Sequence, residues 1–320
     1  MPTALKQTAN SARRALTILG DRWILLILRD AFLGVHQFGE WQSGLGIAPA
    51  VLTRRLRELV KAGIFRRQKI RTSPPRIEYH LTEKGFDIYN IALMVLRWEQ
   101  RWFKAPKHAA IVLHHTRCGQ PTDPQCTCGT CGATIGARDV QPEAGPGARA
   151  EAISDKRVRR TLIEKPQGGP PHRFLEHAVT ILGDRWSWEV VGAAFQGRKR
   201  FDDIQASTGM ATNILADRLR RLSADGIFAR RIYQENPLRY EYVLTEKGRD
   251  FFPATLMLLR WGDRWMAGKR GPPMLLFHKT CGGPLSPQVT CSACGNVLDA
   301  HEVTYTFADG TTAKARPRTP

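Results

Sequence analysis

This 320-residue chain repeats itself at a fixed offset of 163 residues. Thr17-Ile18-Leu19-Gly20-Asp21-Arg22-Trp23 returns as Thr180-Ile181-Leu182-Gly183-Asp184-Arg185-Trp186, and Leu81-Thr82-Glu83-Lys84-Gly85 returns as Leu244-Thr245-Glu246-Lys247-Gly248. The offset still holds at Cys118/Cys281 and Cys131/Cys294. Such a period is too long for a solenoid unit and suits a whole domain. The chain is therefore expected to carry one domain twice, with each copy a control for the other.

Charge narrows the partner. The formal net charge is +19 and the isoelectric point about 10.1. A basic surplus of that size points to a polyanion, nucleic acid or an anionic membrane. No apolar run reaches the ~18–20 residues of a spanning helix, and no lipidation motif stands at either end, so no membrane role is expected. Met1 to Gln7 lacks the apolar stretch of a signal peptide, and a cytoplasmic location follows as the expectation. There, seven cysteines read as metal ligands or thiols rather than a disulfide framework.

Within each copy the order of signals is the same. The Gly-Asp-Arg-Trp block and its apolar continuation predict a first helix, and Phe38 or Phe201 opens a short second one. Leu52, Leu56 and Leu59, matched by Leu215, Leu219 and Leu222, mark the buried face of a third helix, closed by Gly63 or Gly226. Two short alternating runs around a Pro-containing tip predict a β-hairpin, and a longer helix carries Trp98 and Trp102, or Trp261 and Trp265. The fold class is thus mainly α with small β-hairpins (α+β): tandem winged helix-turn-helix domains at 10–104 and 173–267. Segments 111–140 and 274–307 read as zinc-ribbon-like appendages, and 141–172, rich in Pro and Gly, as a linker. The tail after Phe307 reads as frayed.

With the leucines of the third helix inward, Thr53, Arg54, Arg55, Arg57 and Lys61 are expected to face a major groove, while Arg67, Lys69, Arg71 and Arg76 on the hairpin reach phosphates. The matching set in copy two is Thr212, Asn213, Arg218, Arg220 and Arg221, with Arg231 and Arg239 on the hairpin. The bland alternative is a solvated charge run on a surface helix. The two copies are not equally basic. Residues 48–76 hold nine Lys/Arg against one acid, whereas 211–239 hold six against three, and Asp217 stands where copy one has Arg54. Copy one is therefore expected to supply most of the DNA affinity.

The run Leu-Thr-Arg-Arg-Leu-Arg-Glu-Leu, Ala-Gly-Ile-Phe-Arg-Arg and Arg-Ile-Glu-Tyr-His-Leu-Thr-Glu-Lys-Gly, with Gly-Asp-Arg-Trp ahead of it, resembles the HxlR family of bacterial winged-helix transcription regulators. That resemblance implies a regulator, generally a homodimer on operator DNA, here with two winged helices fused in one chain. Two positions depart from the family pattern. Asn10 and Arg173 stand where many members carry a redox-sensing cysteine, and Ala48/Ala50 and Ala211/Asn213 stand where the recognition helix often begins with a serine and a basic residue.

After each winged helix comes a second repeated signal, His115-x2-Cys118-x9-Cys128-x2-Cys131 and His278-x2-Cys281-x9-Cys291-x2-Cys294. One histidine and three cysteines in two knuckles can close a tetrahedral, structural Zn²⁺ site, so two zinc ions are expected, one per copy. The alternatives are reduced cysteines in a small core and His114 in place of His115; Cys126, matched by Val289, is not needed as a ligand.

The paired tryptophans read as packing for a dimer-like interface, within one chain or between chains, with a ligand box as the alternative. The expectation is a sequence-specific DNA-binding transcriptional regulator, a repressor, acting as a pseudo-dimer or homo-oligomer on double-stranded DNA. The alternative is a winged-helix/zinc-ribbon module for protein or RNA contacts. No Gly-rich phosphate loop, nucleophile elbow or open metal triad supports an enzyme. The effector is left open.

Overall fold

The computed structural model describes residues 6–8, 10–71, 76–104, 110–148, 150–152 and 175–308. Most of the expected linker, the wing tip at 72–75, Arg173 and the end of the tail lie outside the described residues. After strand β1 (Lys6–Thr8), copy one runs α1 (Ser11–Leu19), α2 (Arg22–Phe32), α3 (Phe38–Leu45), α4 (Pro49–Lys61), β2 (Phe65–Ile70), β3 (Arg76–Leu81), α5 (Glu83–Phe86) and α6 (Tyr89–Trp102). Strands β4 (Ile111–His115), β5 (Gln120–Thr122), β6 (Gln125–Cys128), β7 (Val140–Ala144) and β8 (Ala150–Ala152) follow. Copy two repeats the order with α7 (Glu176–Leu182), α8 (Arg185–Phe195), α9 (Phe201–Thr208), α10 (Thr212–Ala224), β9 (Phe228–Gln234), β10 (Arg239–Leu244), α11 (Glu246–Arg249) and α12 (Phe252–Met266). It closes with β11 (Met274–His278), β12 (Pro287–Thr290) and β13 (Val303–Phe307). This is the expected α+β winged helix-turn-helix, twice.

One element differs from the sequence reading. The Gly-Asp-Arg-Trp block does not lie within a single helix but breaks it in two, because Asp21 and Asp184 act as N-caps of α2 and α8. Asp21 accepts from Trp23 N and Ile24 N at 3.1 and 3.2 Å, and Asp184 from Trp186 N and Ser187 N at 3.4 and 3.2 Å. An aspartate there satisfies amides that the first turn leaves unpaired.

The chain divides into two compact units, and each unit takes pieces from both copies. The copy-one unit comprises 18–126, 163–183 and 288–320; the copy-two unit comprises 1–17, 127–162 and 184–287. Thus α7, which precedes copy two's winged helix in sequence, packs in the copy-one unit, and the body of α1 packs in the copy-two unit. The strands exchange in the same way. In the copy-one unit β4 pairs antiparallel with β13, His115 opposite Val303 and Ile111 opposite Phe307. In the copy-two unit β11 pairs with β7, His278 opposite Val140 and Met274 opposite Ala144. The first residues of the expected linker, Gln141 to Ala144, are therefore part of a paired strand.

Each winged helix has its own core. Leu52, Leu56 and Leu59 are fully buried, as are Leu215 and Leu219, so the period-3.6 face behaves as read. The repeated Thr-Glu-Lys-Gly block has a steric reason. Thr82 and Thr245 cap α5 and α11 by accepting from Gly85 N and Gly248 N, and their hydroxyls donate to the carbonyls of Gly63 and Gly226. A Cβ at Gly85 would lie 2.4 Å from the Ile64 carbonyl oxygen, and at Gly248 the same distance from that of Ile227, so only glycine closes this corner.

Candidate nucleic-acid interface and metal centres

The recognition helices α4 and α10 each start at an alanine N-cap with no side-chain cap, and both put their leucine face inward. On α4, Thr53, Arg54, Arg57 and Lys61 are exposed. On the wing β2–β3, Arg67, Lys69 and Arg76 are exposed, and Arg71 follows at its end, also exposed. All of these basic side chains are open to solvent.

Arg55 does something else. It forms an ion pair with Asp21 and a 2.8 Å bond to Glu58, and its side chain is only 15% exposed. Arg218 does the same in copy two, paired with Asp184 and 17% exposed. The N-cap aspartate of the preceding helix thus also anchors the recognition helix, and this arginine pair serves the scaffold rather than the exposed face. The sequence alone places both arginines at the groove; the aspartate ahead of an apolar helical run marks where α2 and α8 begin but not which arginine it meets.

The copies then diverge. On α10, Asp217 binds Arg218 at 2.5 Å, Arg220 at 2.7 Å and Arg221 at 3.0 Å. Partial burial works against ionisation of Asp217, yet the Arg220 hydrogen bond and the Arg221 and Arg218 charges outweigh it and hold the carboxyl below its usual range. Three of copy two's five expected recognition-helix residues therefore share one carboxylate, which lowers but does not cancel their charge, while Thr212, Asn213, Arg231 and Arg239 are exposed. In copy one Arg54 stands in the place of Asp217 and leaves the helix face cationic.

The eight His/Cys residues do converge into two quartets, but not the two that sequence order suggests. His115 and Cys118 meet Cys291 and Cys294 in the copy-one unit; Cys128 and Cys131 meet His278 and Cys281 in the copy-two unit. In the first quartet His115 Nδ1 lies 3.5 Å from Cys118 Sγ and 3.3 Å from Cys294 Sγ, with Cys118 and Cys291 sulfurs 3.9 Å apart. In the second, His278 Nδ1 is 3.4 Å from both Cys131 Sγ and Cys281 Sγ. The expected one-quartet-per-copy arrangement is corrected: each strand exchange brings the second knuckle of one copy to the first knuckle of the other. Both histidines are fully buried. The ring nitrogen facing the sulfurs is Nδ1, and His115 Nε2 looks toward Glu302 at 3.9 Å.

These distances suit a metal. Tetrahedral ligands at zinc–sulfur and zinc–nitrogen bond lengths stand roughly 3.5–3.8 Å from one another. Two of the donors carry the protonation chemistry a metal needs, whereas, against the backbone amides of Ala133 and Asn296, burial and the neighbouring thiols push Cys131 and Cys294 up. Burial opposes ionisation of Cys128, but the backbone amides of Cys131 and Thr130 and the neighbouring thiols bring it down to about 6. Cys291 is likewise brought to about 6, against its burial, by Thr122, the amides of Cys294 and Ala293, and the Cys294 thiol. A thiolate is the form that binds metal. Cys126 is buried and stands outside both quartets. His114 bonds Thr306 instead of joining a quartet.

Trp98 and Trp261 are buried in the cores of their own units, while Trp102 and Trp265 are half-buried beside Arg101 and Arg264.

A winged helix-turn-helix with a cationic third helix and wing defines the class: a DNA-binding regulator. Comparison places it further. The HxlR-like helix-turn-helix family matches residues 18–107 and 181–270, together more than half of the chain, and the protein belongs to that family of non-enzymatic transcriptional regulators. An uncharacterized HTH-type transcriptional regulator of Mycobacterium bovis is 43% identical over 144 residues, 45% of this chain and 91% of that protein. YvaP, an uncharacterized HTH-type transcriptional regulator of Bacillus subtilis, is 34% identical over 93 residues, 29% of this chain and 86% of its own. Among solved structures, diamide-treated YodB of B. subtilis is 31% identical, covering 28% of this chain and 89% of its own, with a TM-score of 0.25. No described helix is long and apolar enough to cross a membrane.

Proposed function

We propose that the protein is a sequence-specific DNA-binding repressor that acts as an intramolecular pseudo-dimer, with two structural Zn²⁺ ions, each held by both copies. The observation that carries this reading is the symmetric exchange: helix α1 for α7, β7 for β13, and one cysteine knuckle for the other. Two subunits of a dimer would trade segments in this way, and here a single chain supplies both partners. Four protein donors around each centre leave no open position for water, which favours a structural over a catalytic metal. DNA contact falls mainly to copy one, through Thr53, Arg54, Arg57, Lys61 and the wing residues Arg67, Lys69, Arg71 and Arg76. Copy two contributes Thr212, Asn213, Arg231 and Arg239, with Arg220 and Arg221 held back by Asp217.

Selection of duplexes from a random pool, with metal measured on the same preparation, tests the reading. The expected result is an enriched, asymmetric site bound orders of magnitude above random DNA. Affinity should fall steeply with salt because several phosphates are neutralised at once. Two zinc ions per chain are expected. Binding of equal strength to all duplexes would overturn the regulator reading, and a metal-free folded chain would overturn the zinc.

A further inference from the structure

Two copies of one domain can pair as one with two, one with one, or two with two, and the like-with-like pairings need a second chain. The structure holds the mixed pairing, with the body of α1 packed in the copy-two unit and α7 in the copy-one unit. The residues that dock these two helices are not interchangeable. In the copy-two unit Glu189 of α8 receives α1. Its side chain is only 4% exposed, stands 3.2 Å from Arg13 Nη2 and accepts from Arg185 Nε at 2.9 Å. Copy one has the buried Leu26 at the matching place, and the residue of α7 that matches Arg13 is Glu176. A second contact differs in the same way. Gly262 of α12 lies so close to the Ser11 carbonyl that a Cβ there would collide with it. Copy one has Glu99 at that position, and its carboxylate accepts from the amides of His177 and Ala178.

Each helix therefore fits one body and is refused by the other. Set on copy one, α1 would bury the Arg13 guanidinium against Leu26 with no carboxylate to meet it. Its Ser11 carbonyl would also run into the Cβ of Glu99. Set on copy two, α7 would leave the amides of His177 and Ala178 without their acceptor, because Gly262 has no side chain. The register of the repeat would bring Glu176 to Glu189, acid against acid. Clashes and like charges of this kind are what exclude a wrong partner.

We propose that these residues form a pairing code: α1 is a docking surface for the body of copy two alone, and α7 for the body of copy one alone. Two molecules of this chain then cannot pair like with like, however many are present. Every assembled pair holds one recognition helix with Arg54 and one with Asp217. The consequence for DNA, a reading head that is always asymmetric, rests on the function proposed above; the code itself does not.

The test is photo-crosslinking of the full chain with p-benzoylphenylalanine in place of His177, whose ring centroid lies 3.6 Å from that of Phe103. Half of the chains carry a heavy-isotope label, and linked peptides are mapped by mass spectrometry. Expected is linkage to residues 99–103 of copy one and none to the matching 262–266 of copy two. Comparable linkage to both would overturn the code. Linkage to copy one between labelled and unlabelled chains would uphold the code and overturn the intramolecular pairing. Arg13→Glu with Glu176→Arg swaps the two keys and leaves both bodies untouched. It should raise the share of linkage to copy two by about tenfold, since a like-charge contact becomes an attractive one. Glu189→Leu, which gives copy two the residue of copy one, should move the linkage in the same direction. Linkage still confined to copy one in either folded variant would overturn the code.

Discussion

In the copy-one unit α7 is preceded by Leu175 at the N-cap, whose backbone lies in the left-handed region and whose side chain caps nothing. Glu99 of α6 supplies the cap instead, accepting from His177 N at 3.2 Å, Ala178 N at 2.8 Å and His177 Nδ1 at 2.9 Å. In the copy-two unit the equivalent helix α1 brings its own cap, Asn10, which accepts from Ala12 N at 2.9 Å. The residue matching Glu99 is Gly262, and a Cβ there would lie 2.3 Å from the Ser11 carbonyl oxygen. One unit docks its exchanged helix through a carboxylate, the other through the absence of a side chain. Duplication has preserved the architecture while the means of holding it has drifted, and the same drift separates Arg54 from Asp217 and Leu26 from Glu189.

The largest effects concern what the units share. In double variants, Cys118→Ser with Cys291→Ser is expected to leave one zinc ion per chain, because both residues belong to one quartet, whereas Cys118→Ser with Cys128→Ser leaves none. Metal analysis giving the reverse pattern would restore the sequence-order quartets. Next come the docking helices. Glu99→Ala strips the amides of His177 and Ala178 of their acceptor and should cost about 1–3 kcal/mol. Gly262→Ala, driven against a carbonyl, should cost a similar amount, roughly 1–3 kcal/mol. Separate melting transitions for the two variants would show each unit losing stability by its own route.

The DNA face should split unequally. Replacing Arg54 and Arg57 by Ala is expected to weaken duplex binding at least tenfold and to flatten the log–log salt dependence by about 2. The same change at Arg220 and Arg221 should cost less, about threefold, since both guanidiniums are drawn toward Asp217, whose charge offsets part of theirs. Arg55→Ala and Arg218→Ala should instead lower melting temperature, with the salt slope little changed. The smallest effect is a gain: Asp217→Asn frees the copy-two arginines and should tighten binding by about two- to threefold. Equal losses in the two double-arginine variants would end the claim that copy one dominates.

Much of this molecule is legible in its sequence. Leucine spacing, the Gly-closed third helix, the hairpin and the Thr-Glu-Lys-Gly corner depend on local geometry, and local geometry repeats with the sequence. The eight clustered His/Cys residues are legible for the same reason: each knuckle is a short motif. Their partners are not. A knuckle separated by two residues fixes its own turn but says nothing about which of two identical knuckles it meets, so spacing favoured the nearer one. Arg55 and Arg218 were misplaced because a charge on an exposed-looking helix position gives no hint of an aspartate 34 positions away. Glu99 and Glu189 carried no motif at all; both are single substitutions visible only as mismatches between the copies.

The exchanged quartets also set an order of events during synthesis. His115 waits for a cysteine 179 positions downstream, and Cys131 for a histidine 147 positions away. Copy one's winged helix can emerge and fold while its knuckles still have nothing to close on. The copy-two quartet becomes complete when residue 281 is made, the copy-one quartet only at residue 294. On the metal reading proposed above, capture is a late, ordered step that proofreads the length of the chain: a polypeptide that stops after one copy owns two half-sites and can finish neither within itself.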